Sequence, residues 1–328
     1  MKTIAFFNSA AGVGKTTLVY HLAAMIADRG EMVLTVDLDP QANLTRMFLA
    51  EDELETWSEL EFSPAISRAL RPMVRGFAYE PSFHIAQISP KLVLFVGDPR
   101  LATFEDRWSE AWSNCRDGDR TAFIIMSAFH RQMRQAAEEI DAQWVLIDIG
   151  PNLSAINRAA LIASERVVIP LGPDLFSLQG LRNLGPSLEA WREIWQKMVT
   201  KNPDALLDLP SGVIKPLGYV VMLHGMHGNR PPKAYLRWID RIPGAYREWV
   251  LDEPADKVID IADDPHCLAM LTHYRSLMPM AMEARKPVFA LKPADGAIGA
   301  HTEAVRRAYL DFQELAARIV ERSGGILR

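Results

Sequence analysis

Short apolar runs, at residues 4–7, 33–37, 92–96, 144–149, 167–171, 219–223 and 267–271, recur along this chain with helical stretches between them. Most are continuous rather than alternating, as in Ile4-Ala5-Phe6-Phe7 and Trp144-Val145-Leu146-Ile147. A strand that is apolar at every position must bury both faces, and a parallel sheet covered by helices on each side allows that. The clearest helix is expected at 16–29, where Leu18, Leu22, Met25 and Ile26 share a face and Gly30 supplies a stop. The pattern predicts an α/β fold, a doubly wound and mostly parallel sheet of about seven strands with helices on both faces.

Two stretches interrupt the rhythm. Residues 51–90 open with Glu51, Asp52, Glu53, Glu55, Glu59 and Glu61 and no basic residue, then become Pro-punctuated. They read as a solvated helical insertion. Residues 198–216, with Pro203, Pro210, Gly212 and Pro216, read as a surface loop. Neither marks a domain boundary, so 1–328 is expected to be one domain with an insertion at about 51–90.

Charge and composition narrow the function classes. With 36 Lys+Arg against 41 Asp+Glu, a net of −5, the chain is not a globally basic nucleic-acid binder, although a local basic patch is compatible with it. Its longest apolar run, 22–27, falls far short of the about 20 residues a membrane-spanning helix needs. Asn8 and Ser9 come too early for the apolar core of a signal peptide. Cys115 and Cys267 make neither a disulfide framework nor a zinc cluster. A cytoplasmic protein is expected.

Directly after the first apolar run comes Asn8-Ser9-Ala10-Ala11-Gly12-Val13-Gly14-Lys15-Thr16-Thr17, which leads into the first helix. Strand, glycine-containing loop and helix N-terminus is the context in which a phosphate cradle makes physical sense. Gly12 and Gly14 let the backbone approach a phosphate closely, and the loop N–H groups from Ala11 through Val13 to Thr17 can turn inward. The helix N-terminus adds partial positive charge, Lys15 reaches β and γ oxygens, and the Thr16 hydroxyl is placed to ligate Mg²⁺. The strict phosphate-loop pattern fails at Ser9, where a glycine belongs, and a tight strand-to-helix turn with a capping threonine is the structural alternative.

Two further segments place carboxylates at strand ends. Val36-Asp37-Leu38-Asp39-Pro40-Gln41-Ala42-Asn43 closes the second run, and Trp144-Val145-Leu146-Ile147-Asp148-Ile149-Gly150-Pro151 repeats the scheme. In an open α/β sheet, ligands bind at that edge, and an aspartate there can hold the hydration shell of Mg²⁺. Each aspartate alone also fits a helix cap or a turn.

On these residues the chain resembles the ParA/MinD family of P-loop ATPases, on the partitioning ParA side, over nearly its whole length. Residues 8–17 resemble the deviant phosphate loop, Asp37-Leu38-Asp39-Pro40-Gln41 the first switch and Asp148-Ile149-Gly150-Pro151 the second. Val168-Ile169-Pro170 with Ser177-Leu178-Gln179-Gly180-Leu181, and Ala281-Met282-Glu283-Ala284-Arg285-Lys286-Pro287-Val288, resemble later family segments. The resemblance implies ATP/ADP and Mg²⁺ as cofactors, with Lys15 and Thr16 on phosphate and metal. It implies that Asp39 orients the attacking water, that Asp148 contacts the metal's water shell and that Asp37 supports that shell. It implies an ATP-sandwich homodimer that binds DNA without sequence preference, and an activating partner of the ParB kind. The family carries lysine and glycine where this chain has Ala10 and Ala11. That lysine reaches the partner's nucleotide, so slow hydrolysis is expected here, or a nucleotide-gated binding module that hydrolyses little.

Other features are weighed against this. Residues 230–247 hold Arg230, Lys233, Arg237, Arg241 and Arg247 against Asp240. Pro231 and Pro232 suit a helix start and Pro243 its end. Lys233, Arg237 and Arg241 would then line one face, either a track for a DNA backbone or a solvated surface. His224 and His227 lack the further ligands of a metal site. Trp191 and Trp195, four apart, read as core. The C-terminal helix, expected at about 302–321, is followed by no basic amphipathic tail, so membrane targeting is not expected. A cobyrinic acid synthase-type ligase shares the fold, but neither cysteine has a recognisable nucleophile context.

Overall fold

The computed structural model describes residues 1–59, 65–77, 85–223, 233–254, 259–272, 274 and 276–325. Its strands are Lys2–Phe6 (β1), Val33–Asp37 (β2), Ala86–Ser89 (β3), Leu92–Phe95 (β4), Trp144–Asp148 (β5), Arg166–Leu171 (β6), Lys215–Leu223 (β7) and Cys267–Thr272 (β8). They form one sheet in the order β3-β4-β2-β5-β1-β6-β7-β8. Every pairing is parallel except that of β3 with β4.

The continuous apolar runs bury both faces of this sheet, as their patterning requires. Ala5, Leu34, Val36, Val145, Ile147, Val167 and Ile169 face one layer, while Ile4, Phe6, Val33, Leu146 and Val168 face the other. Each such side chain taken fully out of water contributes about 1.5–3 kcal/mol for residues of the Val, Leu and Phe class.

Helices cover both faces. Lys15–Asp28 (α1) and Asn43–Phe48 (α2) follow β1 and β2, and Glu51–Glu59 (α3) and Ile66–Val74 (α4) come before the edge hairpin. Glu105–Asn114 (α5), Arg120–Met126 (α6) and Ala128–Glu139 (α7) lead to β5, and Ala155–Ile162 (α8) joins it to β6. Leu175–Val199 (α9), Lys233–Ile239 (α10), Ile242–Val250 (α11), Leu277–Ala284 (α12) and Ala300–Arg322 (α13) complete the chain. Residues of α4 to α9 and α11 lie in the first layer, with residues of α1, α12 and α13 in the second.

The structure departs from the sequence expectations at identifiable places. It has an eighth strand, β3, whose Gln87 and Ser89 give it no continuous apolar signature. Inside the stretch expected to be solvated, the acidic start of α3 is exposed but α4 is not a solvated helix. The helix α4 buries Ile66, Leu70 and Met73, spaced four and three apart, and its apolar stripe was obscured by Arg68, Arg71 and Pro72. The helix expected across 233–243 breaks at Asp240. Pro243 occupies the first turn of α11, where a missing N–H costs nothing, instead of ending a helix. Trp195 is buried with its indole N–H donating to the Pro210 carbonyl, 2.9 Å away, and Trp191 is half-buried beside the Arg158 guanidinium.

Candidate functional site

β1, β5 and β2 are adjacent, and their C-terminal ends coincide. Phe6 pairs with Asp148 and Asp37 pairs with Asp148 in register, so the loops after these strands open on one edge of the sheet. Adjacency in space of three segments far apart in sequence is the step that builds the site.

The loop from β1 to α1 is pinned at its start. The Asn8 side-chain amide donates to the Pro170 carbonyl at the end of β6 (2.7 Å), and its oxygen accepts from the Ala10 N–H (2.9 Å). Gly12 and Gly14 take φ of 73° and 83°, the left-handed region that favours glycine, and Gly14 caps α1. Lys15 then opens the helix, only 7% exposed, with its ammonium 3.5 Å from the Ala10 carbonyl. Burial pulls the Lys15 pKa down, opposed by the charges of Asp148 and Asp39.

The three aspartates have different surroundings. Asp37 is fully buried and accepts hydrogen bonds from the Thr45 N–H (2.9 Å), the Thr45 hydroxyl (2.8 Å) and the Asp39 N–H (3.2 Å). Burial still pushes its pKa up to about 7 against those bonds. Asp39 reaches the loop above, where its carboxylate accepts from the Gln41 N–H at 2.9 Å. Asp148 is fully buried, and neither of its oxygens meets a donor at hydrogen-bonding geometry. Burial first, and the neighbouring Asp37 second, drive its pKa well above the carboxylate range, while Thr16 and Lys15 favour the charged form. An uncompensated buried carboxylate is costly, and a cation offered from the Thr16 side would satisfy it.

The loop, Lys15 and Asp39 wall a cavity of about 630 Å³. Its lining runs from Ala11, Gly12 and Gly14–Thr17 past Asp39, Gln41 and Pro151 to Arg46 and Met47. Tyr20, His21, Met278 and Met282 make its apolar end. A polar, phosphate-sized end joined to an apolar one matches a nucleotide in outline. The donor set also fits Mg²⁺: a hydroxyl and a buried carboxylate beside a phosphate cradle, with no cluster of three or more His, Cys, Asp or Glu among the described residues. On the other side of the loop, Ser9, Ala10 and Ala11 border a second hollow of about 410 Å³ with Phe176, which is 73% exposed.

The structure brings Ala11, Gly12, Gly14, Lys15, Thr16, Thr17 and Asp39 to one cavity, with Asp37 and Asp148 paired at the adjoining strand ends and not in its lining. Val13 is buried behind the loop. Of the basic stripe, Arg237 is exposed on α10 and Arg241 lies in the turn before α11, both against the Trp238 ring at 4.6 and 5.5 Å. Arg230, the side chain of Lys233, and both His224 and His227 lie outside the described residues. Sequence reasoning included Asn8 in the loop without giving it a role, and missed Thr45 and Arg46. Asn8 at a strand-to-loop junction carried a turn signal, whereas nothing local marks Thr45 or Arg46. Cys115 and Cys267 are buried, with thiols pushed up to about 12 and about 11, unsuited to nucleophilic attack.

Comparison with known proteins places this geometry in context. Residues 1–200 match the AAA domain family. A Rhizobium rhizogenes protein named replication protein A is 29% identical over 188 residues, 55% of this chain and 42% of that one. The chromosome-partitioning ATPase Soj of Thermus thermophilus is 29% identical over 192 residues, 58% of this chain and 63% of Soj. The chain thus spans less than two thirds of the length of either relative. A solved ATP complex of a Cyanothece McdA variant shares the fold, with a TM-score of 0.66 at 15% identity over 99% of this chain and 97% of that one.

Proposed function

We propose, from the premise that this chain belongs to the ParA/MinD family of P-loop ATPases, that it binds ATP with Mg²⁺ and acts as a nucleotide-gated dimer in DNA partitioning or cargo positioning. The observation that carries this reading is Asp148, a buried carboxylate with no donor at hydrogen-bonding geometry, next to Thr16 and Lys15, which line the cavity.

In this reading the N–H groups of the 11–17 loop and the Lys15 ammonium hold the phosphates. Thr16 and Asp148 would hold Mg²⁺, and Asp37, tied to Thr45, supports the strand end from beneath. The metal supplies Lewis-acid charge to the phosphate oxygens when bound. Asp39 accepts a hydrogen bond from the attacking water and fixes its line of approach. Tyr20, Met278 and Met282 exclude water from the apolar end.

Exposed Phe176 beside Ala10 gives the phosphate-loop face an apolar point for self-association, and Arg237 with Arg241 supplies the DNA-facing charge. A partner of the ParB kind would trigger release. Within the family a lysine crosses the dimer at the position of Ala10, so hydrolysis is slow. The second reading, a module that binds ATP and recruits a partner without significant turnover, draws on the same residue. The location proposed is the cytoplasm, at the nucleoid; among the described residues no helix is long and apolar enough to cross a membrane.

Calorimetric titration with Mg-ATP tests the site. Lys15→Ala is expected to weaken binding at least about tenfold, about 1.4 kcal/mol. Unchanged affinity would remove Lys15 from the phosphate site.

A further inference from the structure

Two cationic side chains line the cavity, Lys15 and Arg46. Lys15 is buried against Asp148 and Asp39. Arg46, on α2, is exposed and forms no ion pair among the described residues; its guanidinium is spent on the backbone turn beside it. One nitrogen donates both to the Gln41 carbonyl and, at 3.1 Å, to the Asn43 side-chain oxygen.

Those two acceptors flank Ala42, which sits in the left-handed region at φ 51° and ψ 39°. For an alanine that conformation is strained, because Cβ crowds the carbonyl oxygen. The turn is also what directs Asp39. The Gln41 N–H donates to the Asp39 carboxylate at 2.9 Å, and the Ala42 N–H donates to the Asp39 carbonyl at 2.8 Å. A continuous path therefore runs from the Arg46 guanidinium to the Gln41 carbonyl, across the Gln41 Cα to its N–H, and on to the Asp39 carboxylate.

We propose that Arg46 is the positioning residue for Asp39, straddling the strained turn at Ala42 so that the carboxylate stays aimed into the cavity. This rests on the reading of Asp39 as the group that orients the attacking water. Arg46 itself touches no reacting atom in this scheme. Its removal lets the 40–43 turn relax toward ordinary backbone angles, and Asp39 loses its donor at Gln41.

The test separates positioning from phosphate binding. In single-turnover assays with excess protein, Arg46→Ala is expected to slow ATP cleavage at least about tenfold while ATP affinity by calorimetry changes less than about threefold. Adding Ala42→Gly to Arg46→Ala should restore most of the lost rate, because glycine adopts the left-handed turn without strain. Amide hydrogen exchange at Gln41 and Ala42 gives a readout independent of cleavage: faster in Arg46→Ala, and returned toward the original rate in the double variant. Parallel loss of affinity and rate, or no recovery with glycine in either assay, overturns the proposal. Absence of ATP binding by the unaltered protein would instead sink the reading of the site as a nucleotide pocket, with the exchange measurement still deciding the role of Arg46.

Discussion

At Ala10 the phosphate loop presents a methyl group, and a methyl group cannot place positive charge where a phosphoryl-transfer transition state accumulates negative charge. A cation acting as an arginine finger is worth on the order of 10³–10⁵ in rate, or roughly 4–7 kcal/mol of barrier. In the proposed site ground-state binding would depend on the loop amides, Lys15 and Mg²⁺, so Ala10→Lys is expected to raise turnover far more than ATP affinity. Equal turnover in the two forms would rule out a rate penalty from the methyl group. A second residue with a measurable signature is His21. It is fully buried, its Nδ1 lies 2.7 Å from the Thr17 carbonyl, its ring stacks on Phe312 at 5.0 Å, and its Nε2 has no partner. Burial, set against the Thr17 hydrogen bond, lowers its pKa to about 4 from 6.5. The unfolded chain therefore takes up this proton at a higher pH than the folded one. Stability is intact above about pH 6.5 and falls as pH drops toward about 4, by at most about 3 kcal/mol. Thermal melting between pH 7.5 and 4.5 should show a smaller loss in His21→Asn than in the parent. Parallel curves would assign the acid sensitivity to other groups.

Among the elements, α10 and α11 show what periodicity cannot see. The four-residue spacing of Lys233, Arg237 and Arg241 predicts one continuous charged face, but Pro243 starts a new helix and turns the chain at Arg241. Arg237 and Arg241 still meet, on the Trp238 ring, through a turn instead of a helix face. If this patch binds DNA, charge reversal at Arg237 weakens binding to every duplex alike and reduces the salt slope by about one. Loss confined to one sequence, or no loss, would exclude it. The same contrast explains what was legible elsewhere. Strands buried on both faces, such as β1, β2 and β5, declare themselves as unbroken apolar runs, and the 8–17 loop and Asp37, Asp39 and Asp148 follow directly from their ends. The edge strand β3 does not, because an edge tolerates Gln87 and Ser89. Arg46 and Thr45 were invisible because their partners are set by a turn geometry, the left-handed Ala42, for which alanine gives no signal.

For the molecule as a whole, the net charge of −5 means that any attraction to DNA comes from a local patch acting against a repulsive remainder, which makes it steeply sensitive to ionic strength. The match to the family covers the first 200 residues, yet α12, far beyond them, closes the apolar end of the cavity, and Phe312 of α13 stacks on His21 at its edge. The C-terminal third is therefore a wall of the site as well as a cover for the sheet. The strand order has a further consequence, in time. β1 lies between β5 and β6, so the first strand made must wait for partners that end at residue 171. At about 5–20 residues per second on a ribosome, that wait is roughly ten to thirty seconds. During it the greasy segment at 4–7 is an open invitation to chaperones. A chain cut short by stalling before β5 has Lys15 and its loop but neither the strand partner of β1 nor the Asp148 carboxylate that comes with it.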